Sequence, residues 1–245
     1  MQFDRPLIQG VVRSRYKRFL ADIDLLADES PETVIAHCAN TGAMTGCYTL
    51  NGQVWVTHHD DPNRKLKYTW QVSRVHDDLV VVNTHLANKV VAEQLSVLWP
   101  DIDQWRAEYR VPNVEGRPDF AGFINGELAR VVEVKSVTWL TDDGVGVFPD
   151  AVSVRAKKHA EGLQKLTESG VPTAMVLCAM HTGIRAIRPA FETDPAYAHA
   201  LVEAVNAGVE LVGLGVQVDL EQGSIQVDKR LDVVLEPENS HITSE

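Results

Sequence analysis

From residue 84 onward, apolar positions recur first at helical and then at strand spacing. Leu86, Val90, Val91, Leu95 and Leu98 share one face of a helix that Thr84 can cap and that ends before Pro100. Residues 105–111 predict a strand, closed by Pro112, Asn113 and Gly116. Residues 119–124 predict a second, turned by the hairpin signal Asn125-Gly126, and residues 129–138 a third. A loop through Asp142-Asp143-Gly144 and Pro149 leads to Asp150, the expected N-cap of a helix over 152–168 that stops at Ser169-Gly170. The unbroken apolar run at 173–179 predicts a strand covered on both faces. Asp194-Pro195 opens another helix that runs to Gly208, and 209–218 and 225–234 predict two late strands. The polar tail over 236–245 predicts disorder.

Before residue 83 the pattern changes to short strands with turn signals, over 8–13, 18–26, 33–37, 53–57, 67–75 and 79–82. Several short strands in so little chain suggest a small barrel of the five-stranded OB type. The boundary falls near Val82-Asn83 without a long linker, which divides the chain into 1–82 and 83–235. Within the second part, the order helix, three strands, helix, strand resembles the core of the PD-(D/E)xK nucleases. The expected fold class is α/β (α+β overall), with an N-terminal OB-like β-barrel followed by a PD-(D/E)xK restriction-endonuclease-like α/β domain.

Chemistry concentrates on the second and third of those strands. Pro118-Asp119 is followed by Glu133-Val134-Lys135 inside a run of valines. Successive strand side chains alternate between faces, so Glu133 and Lys135 share one while Val132 and Val134 share the other. If Asp119 ends the neighbouring strand, two carboxylates and an ammonium converge. Asp119 and Glu133, with the Val134 carbonyl, suit a hard divalent cation, Mg²⁺ or Mn²⁺. Lys135 would hold the attacking water, which makes Asp119, Glu133 and Lys135 the expected catalytic set for cutting a phosphodiester. Glu93 on the first helix is a candidate third carboxylate for the metal. The plain alternative is a wet strand face beside an ordinary Pro-Asp turn.

DNA is the expected partner, and two regions carry its contacts. On the helix after the motif, Arg155, Lys158 and His159 lie with Gly162 and Lys165 at one-turn spacing, opposite the apolar stripe of Ala156, Ala160, Leu163 and Leu166. On the barrel, Arg13, Arg15, Tyr16, Lys17 and Arg18 interleave bases with aromatics, and Arg64, Lys65 and Lys67 form a second cluster. The alternatives are a solvated helix face and core aromatics. Between the barrel clusters, residues 37–47 (HCANTGAMTGC) are small and polar enough for an anion-binding backbone concavity. His37, Cys38 and Cys47 lack the paired close spacing that zinc requires.

Bulk composition bounds these readings. The 245 residues carry a net charge of −11, which argues against a general nucleic-acid coat protein. The imbalance is local: residues 1–82 hold 9 Lys+Arg against 10 Asp+Glu, and residues 83–245 hold 14 against 24. Nucleic acid must therefore dock on local basic patches, with steep salt dependence. No signal peptide and no apolar stretch of spanning length is evident, so a cytoplasmic protein without a membrane partner is expected. Three scattered cysteines fit a reducing compartment. Oligomeric state stays open, a homodimer included.

With these residues laid out, the chain resembles the sugar fermentation stimulation protein A family of bacteria and archaea over nearly its whole length. The likeness is carried by Arg18-Phe19-Leu20-Ala21-Asp22, His37 to Met44, Arg64-Lys65-Leu66 with Thr69-Trp70, and Asn83-Thr84 with Asn88. It continues through Asp119-Phe120, Val132 to Thr138, Phe148 to Val152, and Lys158-His159. The resemblance implies an OB-like barrel joined to a nuclease-like domain, DNA binding, and a regulatory role in sugar, especially maltose, metabolism. By motif position it makes Asp119, Glu133 and Lys135 the nuclease-type triad. Two departures stand out: Arg155-Ala156 where relatives have Arg-Gly, and Ala43 where they have serine. Two functions are carried forward, a metal-dependent deoxyribonuclease and a DNA-binding regulator that keeps the scaffold without turnover.

Overall fold

Leu7–Tyr16 (β1) turns back through Lys17 and Arg18, both at positive φ (49° and 66°), into Leu20–Leu25 (β2). Close approach of the pair depends on Gly10, where a Cβ would lie 2.6 Å from Ile23 Cγ2 and 2.8 Å from the Asp24 carbonyl oxygen. Thr33–Cys38 (β3), Gln53–His58 (β4) and Tyr68–Val75 (β5) complete a sheet in the order β3-β2-β1-β4-β5. Parallel pairing of β3 with β5, Ala36 to Tyr68 and Cys38 to Trp70, closes it into a five-stranded OB-like barrel. Alternation along the strands sends Val12, Ala21, Ile23, Val34, Ala36, Val54, Val56 and Trp70 into its interior. Asp78–Val81 (β6) extends β5 outside the closed ring. This computed structural model describes residues 1–26, 32–111 and 117–236. The turn expected at Pro112, Asn113 and Gly116, and the tail beyond Glu236, lie outside the described residues.

The second part is a mixed sheet with helices on both faces. It runs His85–Ala92 (α1), Leu95–Leu98 (α2), Gln104–Ala107 (β7), Phe120–Ile124 (β8) and Glu127–Val137 (β9). Next come Trp139–Leu140 (β10), Val145–Phe148 (β11), Val154–Glu168 (α3), Thr173–Ala179 (β12) and Ala186–Pro189 (β13). Pro195–Asn206 (α4), Glu210–Asp219 (β14) and Ser224–Val233 (β15) follow. The nine strands order as β10-β11-β13-β15-β14-β12-β9-β8-β7. Strand β9 sits between β8, antiparallel, and β12, parallel, so its middle is buried on both faces. Val132 and Val134 pack with α1, while Val131 and Val137 pack with Ala156 and Ala160 of α3. That alternation points Glu133 and Lys135 toward α3.

Several expectations need correction. Asp150 does not cap α3. Ser153 does, its hydroxyl accepting the Ala156 N–H, and the helix starts at Val154. The single helix expected after Thr84 is two pieces, joined by i→i+3 bonds from Gln94 N–H to Val91 and from Val97 N–H to Gln94. Thr84 makes no side-chain cap. Its hydroxyl donates to the Ala39 carbonyl, while Asn83 Oδ1 accepts the His85 N–H. Of the strand expected over 105–111, only Gln104–Ala107 forms, and the loop expected before Asp150 contains the hairpin β10–β11.

The barrel and the sheet share a core, because Trp55, Val72 and Val81 pack with α1 and the α1 face of the sheet. Backbone bonds reinforce the contact, Val81 N–H to Met180 and Thr182 N–H to Leu79. No helix among the described residues is long and apolar enough to cross a membrane.

Candidate nuclease-type site and junction cleft

Asp119 directly precedes β8, and its carboxylate meets the strand beside it. Oδ2 accepts the backbone N–H of Val134, the residue between Glu133 and Lys135, at 2.7 Å. Oδ1 accepts Asn88 Nδ2 of α1 at 2.6 Å. Across the short distance set by this bond, Lys135 Nζ donates to Glu133 Oε1 at 2.6 Å, both side chains nearly sealed from solvent (11 % and 7 % exposed). His159 on α3 places Nδ1 against the same oxygen, and Arg155 one turn earlier donates from Nε to His159 Nε2 at 3.3 Å. Lys135 Nζ also lies 3.1 Å from His159 Nδ1, so Glu133, Lys135 and His159 meet in one three-way contact.

Electrostatics separates the two carboxyls. Burial and the neighbouring Glu133 charge raise the pKa of Asp119, against the opposing bonds from Val134 and Asn88. Burial would also raise Glu133, but the His159 hydrogen bond and the Lys135 charge outweigh it and hold Glu133 below the ordinary range. An ionised pair that repels at short range is a donor set a divalent cation relieves. Two carboxylates and a backbone carbonyl leave the remaining positions to water, as Mg²⁺ prefers. Among the described residues no three His, Cys, Asp or Glu side chains group as a metal cage. Glu93 in particular is not part of the cluster. It is exposed at the end of α1 and accepts the Met1 amine at 2.8 Å, because it lies five residues beyond Asn88 and so turns to a different side of the helix.

The basic residues are distributed over four places. Arg13 is bound within the barrel surface, to Asp24 and Asn51 at 2.6 Å each, and the Tyr16 hydroxyl donates to Asp22. Arg15 donates to the carbonyls of Asn40 and Gly42, and with Arg18 it lines a cleft of about 480 Å³ between barrel and sheet. Ser136 of β9, Thr138 just after it, Trp139, and the start of α3 form its other wall. Lys17 sits beside Arg18 in the β1–β2 turn, exposed. Arg64 lines a separate cavity, its guanidinium donating to Thr69, and Lys65 and Lys67 are exposed beside it. Lys158 borders a small pocket with Arg117, Glu133 and His159.

Asp150 has a role that sequence spacing does not announce. It accepts the Met44 N–H at 2.8 Å, and a Cβ on Gly42 would sit 2.8 Å from both of its oxygens, so a side chain there would push the Asp150 carboxylate aside. The 37–47 loop thus spends that amide on an internal carboxylate rather than an external anion. Burial raises the Cys38 thiol and pushes Cys47 up to about 12, and among the described residues no three ligating side chains group there to hold a metal.

Comparison with known proteins places this architecture. Residues 14–82 match the family described as the SfsA N-terminal OB domain, and residues 81–222 the Sugar fermentation stimulation protein RE domain. A sugar fermentation stimulation protein homolog of Alteromonas mediterranea is 39 % identical over 244 residues, covering 96 % of this chain and 100 % of the relative. One from Pseudomonas putida is 42 % identical, covering 97 % and 100 %. A solved structure described as Pyrococcus furiosus SfsA in complex with Ca²⁺ superposes with a TM-score of 0.82 at 25 % identity, covering 96 % of this chain and 98 % of that one.

Proposed function

This chain belongs to the sugar fermentation stimulation protein family, and from that premise we propose that it binds DNA and hydrolyses its phosphodiester bonds with a divalent metal. The observation that carries the reading is the bond from Val134 N–H to Asp119, which ties Asp119 to the strand holding Glu133 and Lys135. Asp119, Glu133 and the Val134 carbonyl would hold Mg²⁺ or Mn²⁺. The bound metal would stabilise the charge that develops on the phosphate. The relative described in complex with Ca²⁺ supports a divalent cation in this family.

The chain's own residues do the rest. Lys135 holds and polarises the attacking water. His159 and Lys135 together orient Glu133, and Arg155 steadies the imidazole from its other nitrogen. Arg155 and Lys158 neutralise phosphates flanking the scissile one, and Arg15, Lys17 and Arg18 at the junction cleft bind the strand beyond. Lys65 and Lys67 extend the basic track across the barrel.

A second reading is favoured by one observation. Glu133 is already paired with the Lys135 ammonium and bonded to His159, an arrangement that stands without metal. On that reading the protein is a non-catalytic DNA-binding regulator of sugar metabolism. Cleavage of labelled single- and double-stranded DNA, with Mg²⁺, Mn²⁺ or EDTA, decides between them. Cutting that disappears with EDTA and in Asp119→Asn establishes the nuclease. DNA bound and uncut under every condition leaves the regulator.

A further inference from the structure

On the barrel side of α1 lies a second cavity, of about 220 Å³. Five basic side chains line it from three segments: His37 on β3, His59 and Arg64 from the β4–β5 connection, and His85 and Lys89 on α1. The two from the connection are held by the barrel. Arg64 donates to Thr69 at 3.0 Å, and His59 is bonded to the Thr57 hydroxyl at 3.2 Å. Thr57 accepts from Gln71, Gln71 accepts from Asn83, and Asn83 accepts the His85 N–H, a chain of polar bonds between barrel and helix. Burial, and after it the nearby Arg64 charge, disfavours protonation of both His37 and His59.

A cluster of histidines invites a metal, but among the described residues no three ligating side chains are grouped to hold one. Two permanent cations, Arg64 and Lys89, face a single lining carboxylate, Asp4. The start of α1 adds the positive end of a helix dipole. These are the groups that recognise a tetrahedral oxyanion. We propose that this cavity is a seat for a phosphate dianion, held by Arg64 and Lys89 with imidazoles supplying further hydrogen bonds. Its source is inorganic phosphate or the terminal phosphate of a nucleic-acid strand. The strand source rests on the DNA-binding reading above; the seat itself does not.

The test uses the full chain without metal or DNA. Binding of inorganic phosphate is titrated by ³¹P NMR at fixed ionic strength, for wild type, Arg64→Gln, Lys89→Gln and Arg155→Gln. Saturable binding weakened at least about tenfold by Arg64→Gln and several-fold by Lys89→Gln is the expected result. Lys89 is exposed, so its variant keeps the fold and the test stands even if Arg64→Gln unfolds. Absence of saturable binding, or binding lost with Arg155→Gln and kept in the other two, overturns the proposal. A second arm competes phosphate with oligonucleotides bearing a 5′-phosphate or a 5′-hydroxyl. Stronger competition by the phosphorylated strand assigns the strand end, and equal competition assigns free phosphate, both with the seat intact. This binding assay can succeed or fail whatever the cleavage assay gives.

Discussion

Replacing Asp119 with Asn removes one negative charge and keeps the shape of the side chain. The native carboxylate accepts the Val134 N–H and Asn88 Nδ2. An Asn can keep the first bond through its own Oδ1. Once the Asn88 amide turns over, the new Nδ2 donates to Asn88 Oδ1, so both bonds survive. What disappears is an ionised group that burial and the Glu133 charge disfavour. A carboxyl whose folded pKa is raised contributes stability below its unfolded value, about 3.9, and loses that contribution as pH rises through the folded value. At neutral pH the ionised Asp119 therefore costs stability that Asn does not. Relief of this kind is worth about 0.5–2 kcal/mol. At about 2–4 °C per kcal/mol for a chain of this size, Tm should rise by about 1–8 °C.

Thermal denaturation in EDTA at neutral pH reads this gain directly. The gain should shrink as the buffer is made acid, because the raised pKa lets wild-type Asp119 take up its proton in the folded state before the unfolded chain does. Added Mg²⁺ or Mn²⁺ reverses the ranking, since a ligand at a hundred times its Kd stabilises the wild type by about 2.7 kcal/mol and the variant by less. A variant that melts below wild type at neutral pH in EDTA, with a deficit unchanged by pH, would refute the reasoning. Asp119 would then be a structural acceptor rather than a strained functional group.

Two further substitutions test the surroundings. Glu133→Gln should destabilise by about 3–5 kcal/mol because it strips the buried Lys135 ammonium of its counter-charge, and adding Lys135→Met should recover most of the loss. Urea unfolding of both singles and the double measures the coupling, and additive effects would dissolve the pair. Because the folded pKa of Glu133 is lowered, its contribution is present above the unfolded value and is lost as pH falls through the folded one, so the wild-type advantage should narrow in acid. Asp194→Ala should cost about 2–4 kcal/mol, since its carboxylate accepts both the Tyr197 N–H that starts α4 and the Ser153 N–H that starts α3. A urea midpoint shift equivalent to less than about 1 kcal/mol would mean solvent replaces that carboxylate.

What the chain discloses in advance follows from how local each signal is. The alternation of Val132, Glu133, Val134 and Lys135 is a property of four neighbouring residues, and it put Glu133 and Lys135 on one face without knowledge of the rest. The apolar spacing of α3 and α4 is equally local. Strands β10, β11 and β13 escaped because they are two to four residues long, and Gly146, Arg188 and Pro189 interrupt any periodicity. Asp150 read as a helix cap because Asp before an apolar-periodic run usually is one. Its true partner, Met44, lies more than a hundred residues away. The phosphate cavity is wholly non-local: His37, His59, Arg64, His85 and Lys89 have no mutual spacing, and only barrel closure through β3 and β5 brings the first three beside α1.

Helix α1 joins these separate signals. Asn88 holds Asp119, while His85, one turn earlier, and Lys89, the next residue along, face the other cavity. Its start is bound to the barrel twice, by Thr84 to Ala39 and by Asn83 to Gln71. The arrangement reconciles a net charge of −11 with a phosphate ligand. Beyond a Debye length of about 8–10 Å the acidic surplus is screened and a phosphate feels little of the whole molecule. Within that length it meets Arg64 and Lys89 at a cavity, or Arg15 and Arg18 at the junction cleft, where screening is weaker than on open surface. A basic stripe on the outside would have bound DNA anywhere along its length. Here Arg15 and Arg64 sit half-buried in two recesses instead, with Lys17, Lys65 and Lys67 exposed beside them.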